Sequence, residues 1–313
     1  MLKPDWRFRP LVLAVLAGGA LATTAEAETL RFMTGPQGGS WYPMGGAIKN
    51  IVEEAHPETS LQVLPGAGIA NVEAIEAGKA DLGFANSVST VDAINGNPPF
   101  ESPAENVCHL ATLYPQYFQI VTTADTGIEG LDQLKGAALT TQPTGNTGEA
   151  ITRHLLQALG LSYDDMASVD FVSYSDSVAL LKDGNAEVLT LGTTVPASAI
   201  MDLASARDVR LLPVSDELLA KMQELNPGYK QRIVPAGSYP NQDADVPTIG
   251  YATHLIARCD LDDATVEAIL QQIVDQQQDL ASVAKAIGST SREDMAADIG
   301  VPFHPAAEAF WSS

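Results

Sequence analysis

The chain has 313 residues, with 17 Lys and Arg against 39 Asp and Glu, a formal net charge of −22. So acidic a balance excludes nucleic-acid binding, which needs a basic face, and disfavours adhesion to anionic lipid. The length is enough to bury a substantial core, arranged most naturally as two lobes.

The first 27 residues read as an export signal. Lys3, Arg7 and Arg9 precede Leu11 to Ala22, a run of apolar residues and glycine. Ala25-Glu26-Ala27 fits the small-x-small cleavage pattern, which places the cut before Glu28. The alternative is an uncleaved membrane anchor, although the run is short for a bilayer span. No cysteine lies near the cut, so no lipid anchor is expected. Removing residues 1–27 takes away three basic and two acidic side chains and leaves −23.

After the cut, residues 30–46 run from a short apolar strand into a glycine-rich turn, then Trp41 and Tyr42, then a helix. Glycines let backbone approach a small ligand, a helix start offers unpaired N–H donors, and the rings offer a flat apolar wall. Met44, Ala47, Ile48, Ile51, Val52 and Ala55 recur at helical spacing, and His56-Pro57 ends the helix. Leu61–Leu64 is a strand, Pro65 to Gly68 a turn, Asn71–Ala77 a helix and Asp81–Phe84 a strand. The loop Ala85-Asn86-Ser87 leads into another helix from about Ser89, broken at Asn95 to Pro99.

Cys108 to Val121 reads as one long extended segment. Gly136–Thr140 is a strand, Thr141–Gly148 a loop, and Ile151, Leu155, Leu156 and Leu159 mark a helix closed by Gly160. Strands near Val169–Val172, Val188–Leu191 and Val209–Leu212 alternate with helices. Pro247–Ala257 is extended and apolar again. Val266, Ile269, Leu270, Ile273 and Val274 mark a helix, and the chain reads as helical to Trp311. Strand–helix alternation gives an α/β fold with parallel sheets. The two long segments bracket the middle block, so they cross between the lobes. The expected division is 28–115 with 248–313 as one lobe and 116–247 as the other.

Cys108 opens one long strand and Cys259 follows the other. If the strands are antiparallel neighbours, the thiols meet, and an exported compartment permits a disulfide; two separate buried thiols are the other possibility. The histidines at 56, 109, 154, 254 and 304 follow no metal spacing. Asp164-Asp165 and Asp262-Asp263 read as helix starts. No nucleophile elbow, phosphate loop or zinc pattern occurs. No catalytic constellation, cofactor or metal is therefore expected.

Ligands in open α/β sheets sit beyond the carboxyl ends of strands. The residues placed there are Gly39, Ser40, Trp41, Tyr42, Asn71, Asn86, Ser87, Thr144, Asn146, Thr147 and Thr194, with Tyr251 on the return strand. Some have a competing role: Trp41 and Tyr42 as core, Asn86, Ser87 and the Thr144–Thr147 loop as helix caps. Arg31, Arg153, Arg207, Arg210, Arg232, Arg258 and Arg292 fall outside these loops. A carboxylate would then be held by backbone N–H groups and hydroxyls.

Thr34-Gly35 with Gly38 to Gly45, the Gly68–Asn71 turn, Ala80 to Phe84 with Asn86-Ser87, Thr112 to Pro115, Thr141–Thr147, Thr193 to Pro196 and Tyr251 to Leu255 follow one another in an order that resembles the TAXI family, the exported solute receptors of TRAP-type transporters. The chain departs from that family at Trp41, where a tyrosine is usual, at Ala67-Gly68, which lacks a hydroxyl, at Asn86 and Val88, where Gln-Ser-Asp is common over 86–88, and at Thr144 to Thr147. The resemblance implies a two-lobed periplasmic binding protein of the type II, Venus-flytrap kind with crossover hinge strands. It implies a monomeric, periplasmic receptor for a small anionic or zwitterionic solute, glutamate-like or a dicarboxylate, delivered to TRAP-type permease subunits. A ligand sensor of a membrane signalling system has the same fold, and an enzyme on it is a further alternative.

Overall fold

A computed structural model describes residues 29–35 and 40–313. The export signal, its cleavage site and Gly39 lie outside the described residues.

The chain opens with parallel strands. β1 (Thr29–Met33) pairs with β2 (Ser60–Leu64) in the register Thr29↔Ser60, and with β3 (Leu82–Asn86). Between them run α1 (Trp41–Ala55), whose Met44, Ile48 and Val52 are buried, and α2 (Gly68–Glu76). Helix α2 starts at Gly68, three residues before the helix expected from the apolar pattern. β3 passes directly into α3 (Ser87–Asn95), so Asn86 ends a strand and is not part of a loop.

β4 (Val107–Thr123) and β10 (Val246–Arg258) are the two long strands, and they are antiparallel neighbours. β10 also pairs with β3, and β4 with β7 (Val188–Thr193), so the two strands join both halves of one sheet. The second half adds β5 (Ala138–Thr141), β6 (Ser168–Phe171), β8 (Val209–Leu211) and β9 (Lys230–Val234). The order is β2-β1-β3-β10-β4-β7-β5-β6, with β8 on β4 and β9 on β10. Helices α4 (Thr147–Ala158), α5 (Tyr174–Lys182), α6 (Ser198–Ala204) and α7 (Asp216–Leu225) flank this half.

After β10 the chain returns to the first half through α8 (Asp263–Asp275), α9 (Gln277–Leu280), α10 (Arg292–Met295) and α11 (Pro305–Ser312). This corrects the expectation of continuous helix to Trp311: α9 and α10 have four residues each, separated by turns. One core cluster joins Leu30, Phe32 and Ile48 to Leu113, Leu255, Ile269 and Ala307. Two others, centred on Ile120, Leu155 and Met222 and on Val121, Leu189 and Ile200, fill the second half. Two lobes thus share a pair of crossing strands, which is the two-lobed α/β fold expected of a periplasmic binding protein.

The pairing Ala257↔Cys108 brings the ends of the long strands together. Cys108 and Cys259 are joined by a disulfide, with Cα atoms 5.0 Å apart.

Candidate functional site

A cavity of ≈190 Å³ lies on one face of the β4/β10 pair, between the lobes. It is assembled from the starts of four helices. Ser40 and Trp41 begin α1, Ala67 and Gly68 begin α2, Asn86 precedes α3, and Asn146 and Thr147 begin α4; all seven line the cavity. Among the described residues, none of the four N-cap side chains makes a capping hydrogen bond, although Gln142 Oε1 accepts from the Gly148 N–H of α4 at 3.0 Å. By contrast Ser173, Ser215 and Asp262 cap α5, α7 and α8. Apart from Gly148 N–H, the first-turn N–H groups of these helices have no side-chain partner among the described residues, and each helix end carries about half a positive charge.

Among the described residues that line it there is no Lys, Arg, Asp or Glu. The polar groups are amides and hydroxyls. Gln116 donates its Nε2–H to Thr253 Oγ1 at 2.8 Å, while its Oε1 is buried without a partner among the described residues. Asn86 Oδ1 is likewise buried and unpartnered. A buried acceptor left unpaired costs ~1–3 kcal/mol, which a donor on a guest would recover. The walls are aromatic. Trp41 leans on Phe84 with ring centroids 5.8 Å apart. Tyr174 Oη donates to the Gly192 carbonyl at 3.1 Å and accepts from the Gly192 N–H at 3.0 Å. Burial pushes the phenols of Tyr174 and Tyr251 upward, so both remain protonated donors at neutral pH.

Gly68 marks the centre. A Cβ placed there would lie 3.0 Å from Thr147 Oγ1, 3.3 Å from Asn86 Nδ2 and 3.7 Å from Trp41. Groups from α1, α2, α3 and α4 thus converge on the one position that has no side chain. The lobes also touch directly: Thr147 Oγ1 and Ser89 Oγ are 2.9 Å apart, and Asn226 Nδ2 donates to the Val88 carbonyl at 2.8 Å.

Of the expected residues, Ser40, Trp41, Asn86, Asn146, Thr147 and Tyr251 line the cavity. Five others do not. Tyr42 is half-buried on α1, and Thr144 is exposed on its loop. Thr194 gives way to its neighbour Thr193. Asn71 is fully buried: its Nδ2 donates to the Thr34 and Phe84 carbonyls at 2.7 and 2.8 Å, and its Oδ1 accepts from Ala67 N–H. It staples the loop after β1 to α2 and β3, with no polar atom left for a guest. Ser87 Oγ accepts from the Ala252 N–H at 3.0 Å. Gln116 and Tyr174 are the additions. Gln116 had a signal, a polar side chain inside the long apolar β4 run, paired with Tyr251 across the strands.

A second cavity of ≈210 Å³ occupies the opposite face of β4 and β10, lined by Lys230, Arg232, Asp294 and Asp298 among others. Its opposite charges can neutralise one another. The uncharged cavity ringed by helix starts, with its two unpartnered amide oxygens, is the better candidate for a guest.

Residues 32–312 match the NMT1-like family. The chain belongs to the NMT1-like family. This member has the fold of periplasmic solute-binding proteins. It is similar to XAC2383 from Xanthomonas citri, solved with a chloride ion: TM-score 0.52, 14% identity, covering 91% of this chain and 95% of that one. It is similar to PhnD1 from Prochlorococcus marinus, solved with methylphosphonate: TM-score 0.52, 12% identity, 82% and 90% covered. A putative L-cystine ABC transporter protein from Listeria monocytogenes has TM-score 0.50 at 12% identity, with 84% and 97% covered. At these identities the likeness speaks for the fold of this NMT1-like chain, not for its guest.

Proposed function

We propose that the protein is an exported, monomeric receptor that captures a small solute between two lobes and hands it to a membrane permease. The observation that carries the reading is the convergence of four helix starts, none capped by its own N-cap side chain, on a cavity whose described lining carries no formal charge. Such a site favours one oxyanion group, held by N–H donors and dipoles rather than by an arginine. The unpartnered oxygens of Gln116 and Asn86 favour hydrogen-bond donors elsewhere on the same solute. An amino acid or a hydroxylated organic acid has both. A zwitterion also avoids the long-range repulsion of a protein at −22.

The lobes are 28–115 with 248–313, and 116–247. Ser40, Trp41, Asn86, Gln116, Asn146, Thr147, Tyr174 and Tyr251 hold the solute in this reading. Among the described residues no nucleophile with an adjacent base lines the cavity, and capture and release is the activity this reading assigns to the site. The resemblance to the TAXI family favours a TRAP-type permease as the recipient. A thermal-shift screen over amino acids, mono- and dicarboxylates and sulfonates tests the capture step, because a guest of the folded state raises the melting temperature. No rise with any oxyanion-bearing compound, or recovery of a chemically altered compound, rejects it. Loss of uptake of the identified solute in a strain lacking the neighbouring permease tests the delivery step.

A further inference from the structure

The two cavities share a floor. On β10, Tyr251 lines both cavities and Ala252 only the second; on β4, Gln116 lines the first, while Pro115 and Thr112 line the second. A register shift between Thr253 and His254 lets Thr112 and Pro115 share one face. The crossing strands are thus a wall with an empty space on each side.

The walls of the second cavity belong to different lobes. Lys230 and Arg232 stand on β9, which lies within the 116–247 lobe and pairs with Val246–Gly250 at the start of β10. Asp294 and Asp298 stand on and just after α10, whose Met295 is in the core of the first lobe. Among the described residues, neither Lys230 nor Arg232 makes a side-chain hydrogen bond or ion pair. The Asp294 carboxylate accepts through Oδ2 from the Ser291 N–H and hydroxyl, and Asp298 Oδ1 accepts from the Gly300 N–H. Each carboxylate keeps one oxygen without a protein partner.

We propose that these four groups are an electrostatic latch for the open form. A rotation about β4 and β10 that parts Thr147 from Ser89 on one face must bring the opposite walls together on the other. Lys230 and Arg232 then approach Asp294 and Asp298 and pair with them. In the arrangement seen here, with Thr147 and Ser89 in contact, the same charges line the second cavity without an ion pair between them. The latch sets how much of the empty protein stays open, and hence how far solute binding must work against it. Exposed pairs of this kind give a roughly two- to tenfold bias, and salt weakens it. The latch rests on the two-lobe reading of closure but not on which solute is captured.

Solution scattering on the solute-free protein tests this. Lys230→Gln/Arg232→Gln removes two exposed charges without touching either core, and thermal melts check that the fold is kept. The natural protein should show a larger radius of gyration at about 20 mM salt than at about 0.5 M. The neutral variant should show the smaller radius at both, and Lys230→Arg/Arg232→Lys should behave as the natural protein. A radius that ignores both the substitutions and the salt overturns the latch. Since no solute is added, a failed solute screen alongside a responsive radius would reject the receptor reading and leave the latch standing.

Discussion

Thr147 Oγ1 and Ser89 Oγ meet at 2.9 Å across the cleft, one hydroxyl from the first turn of α4 and the other from α3. The bond ties the lobes beside the candidate site, so it should act on closure as well as on affinity. One hydrogen bond of this kind is worth ~0.5–1.5 kcal/mol. Ser89→Ala should weaken binding of the screened solute by roughly two- to tenfold and enlarge the solute-free radius, with little change in melting temperature. Thr147→Ala should weaken binding further, because it also lines the cavity. Isothermal titration against unchanged affinity in both variants decides the matter.

Gly68 offers a cleaner probe of the cavity. Gly68→Ala adds a methyl 3.0 Å from Thr147 Oγ1 and 3.3 Å from Asn86 Nδ2, at the point where four helices converge. Alanine is the better helix former by ~1 kcal/mol, so the fold should be nearly unaffected. Solute affinity should fall at least tenfold, and Gly68→Val should abolish it. Equal affinity with a normal melting curve would place the solute elsewhere.

The Cys108–Cys259 bond closes a loop of 151 residues that contains the whole second lobe. Closing so long a loop restricts the unfolded chain by ~4–5 kcal/mol in the chain-entropy account, of which 2–5 is typically recovered on removal. Cys108→Ser/Cys259→Ser should lower stability by that order in denaturant titration. Mass analysis of the natural protein should count no free thiol before reduction and two after it. One alkylated cysteine before reduction is the contrary result.

Acid should loosen the protein below pH 6.5. His109 and His254 are fully buried with their Nδ1 atoms 3.0 Å apart. Burial pushes His109 down to about 3, and burial together with its neighbour holds His254 well below the usual imidazole range. The unfolded chain therefore takes up protons at these rings before the folded one does. Their contribution is complete above about pH 6.5 and drains away as pH falls toward 3, at up to ~1.4 kcal/mol per unit and per ring. Melting temperature should drop between pH 7 and 5, and less steeply in His109→Gln.

Asp92 works in the opposite sense. Burial raises its carboxyl to about 6, and it is 4% exposed on α3. The folded state therefore binds its proton more readily than the unfolded chain, so Asp92 costs stability above about pH 6 and ceases to below about pH 4. Asp92→Asn should stabilise the protein by about 1–3 kcal/mol at pH 7.5, with the gain fading by pH 4. An equal gain at both pH values would show that its charge is not the cause.

Much of this architecture was legible in the residues because apolar periodicity records burial. Ile48 and Val52, or Ile269 and Ile273, reveal a buried helix face wherever they stand. The two long apolar runs could be read as crossing strands because both are buried along nearly their whole length. β9 escaped for the converse reason: four of its five residues, Lys230 to Ile233, are exposed, so it has no apolar signature and is held by backbone pairing with β10. The site was read by position, and position does not show where a side chain spends its hydrogen bonds. Asn71 and Asn86 look alike in sequence, yet one amide is saturated by three backbone groups and the other has its oxygen unpartnered.

The core that holds Leu30 also holds Leu255 and Ala307, and Trp311 Nε1 donates to the Leu110 carbonyl at 2.7 Å. The first lobe therefore cannot close until almost the last residue has arrived. The second lobe, whose own elements run from β5 to β9 between the two long strands, comes from one continuous stretch and can assemble earlier. A chain made from its amino end thus delivers β1 to β3 first and finishes that lobe last. For the whole of that interval the apolar faces of Phe32, Ile48 and Phe84 have no cover of their own, and they are the surface an escorting chaperone would have to hold.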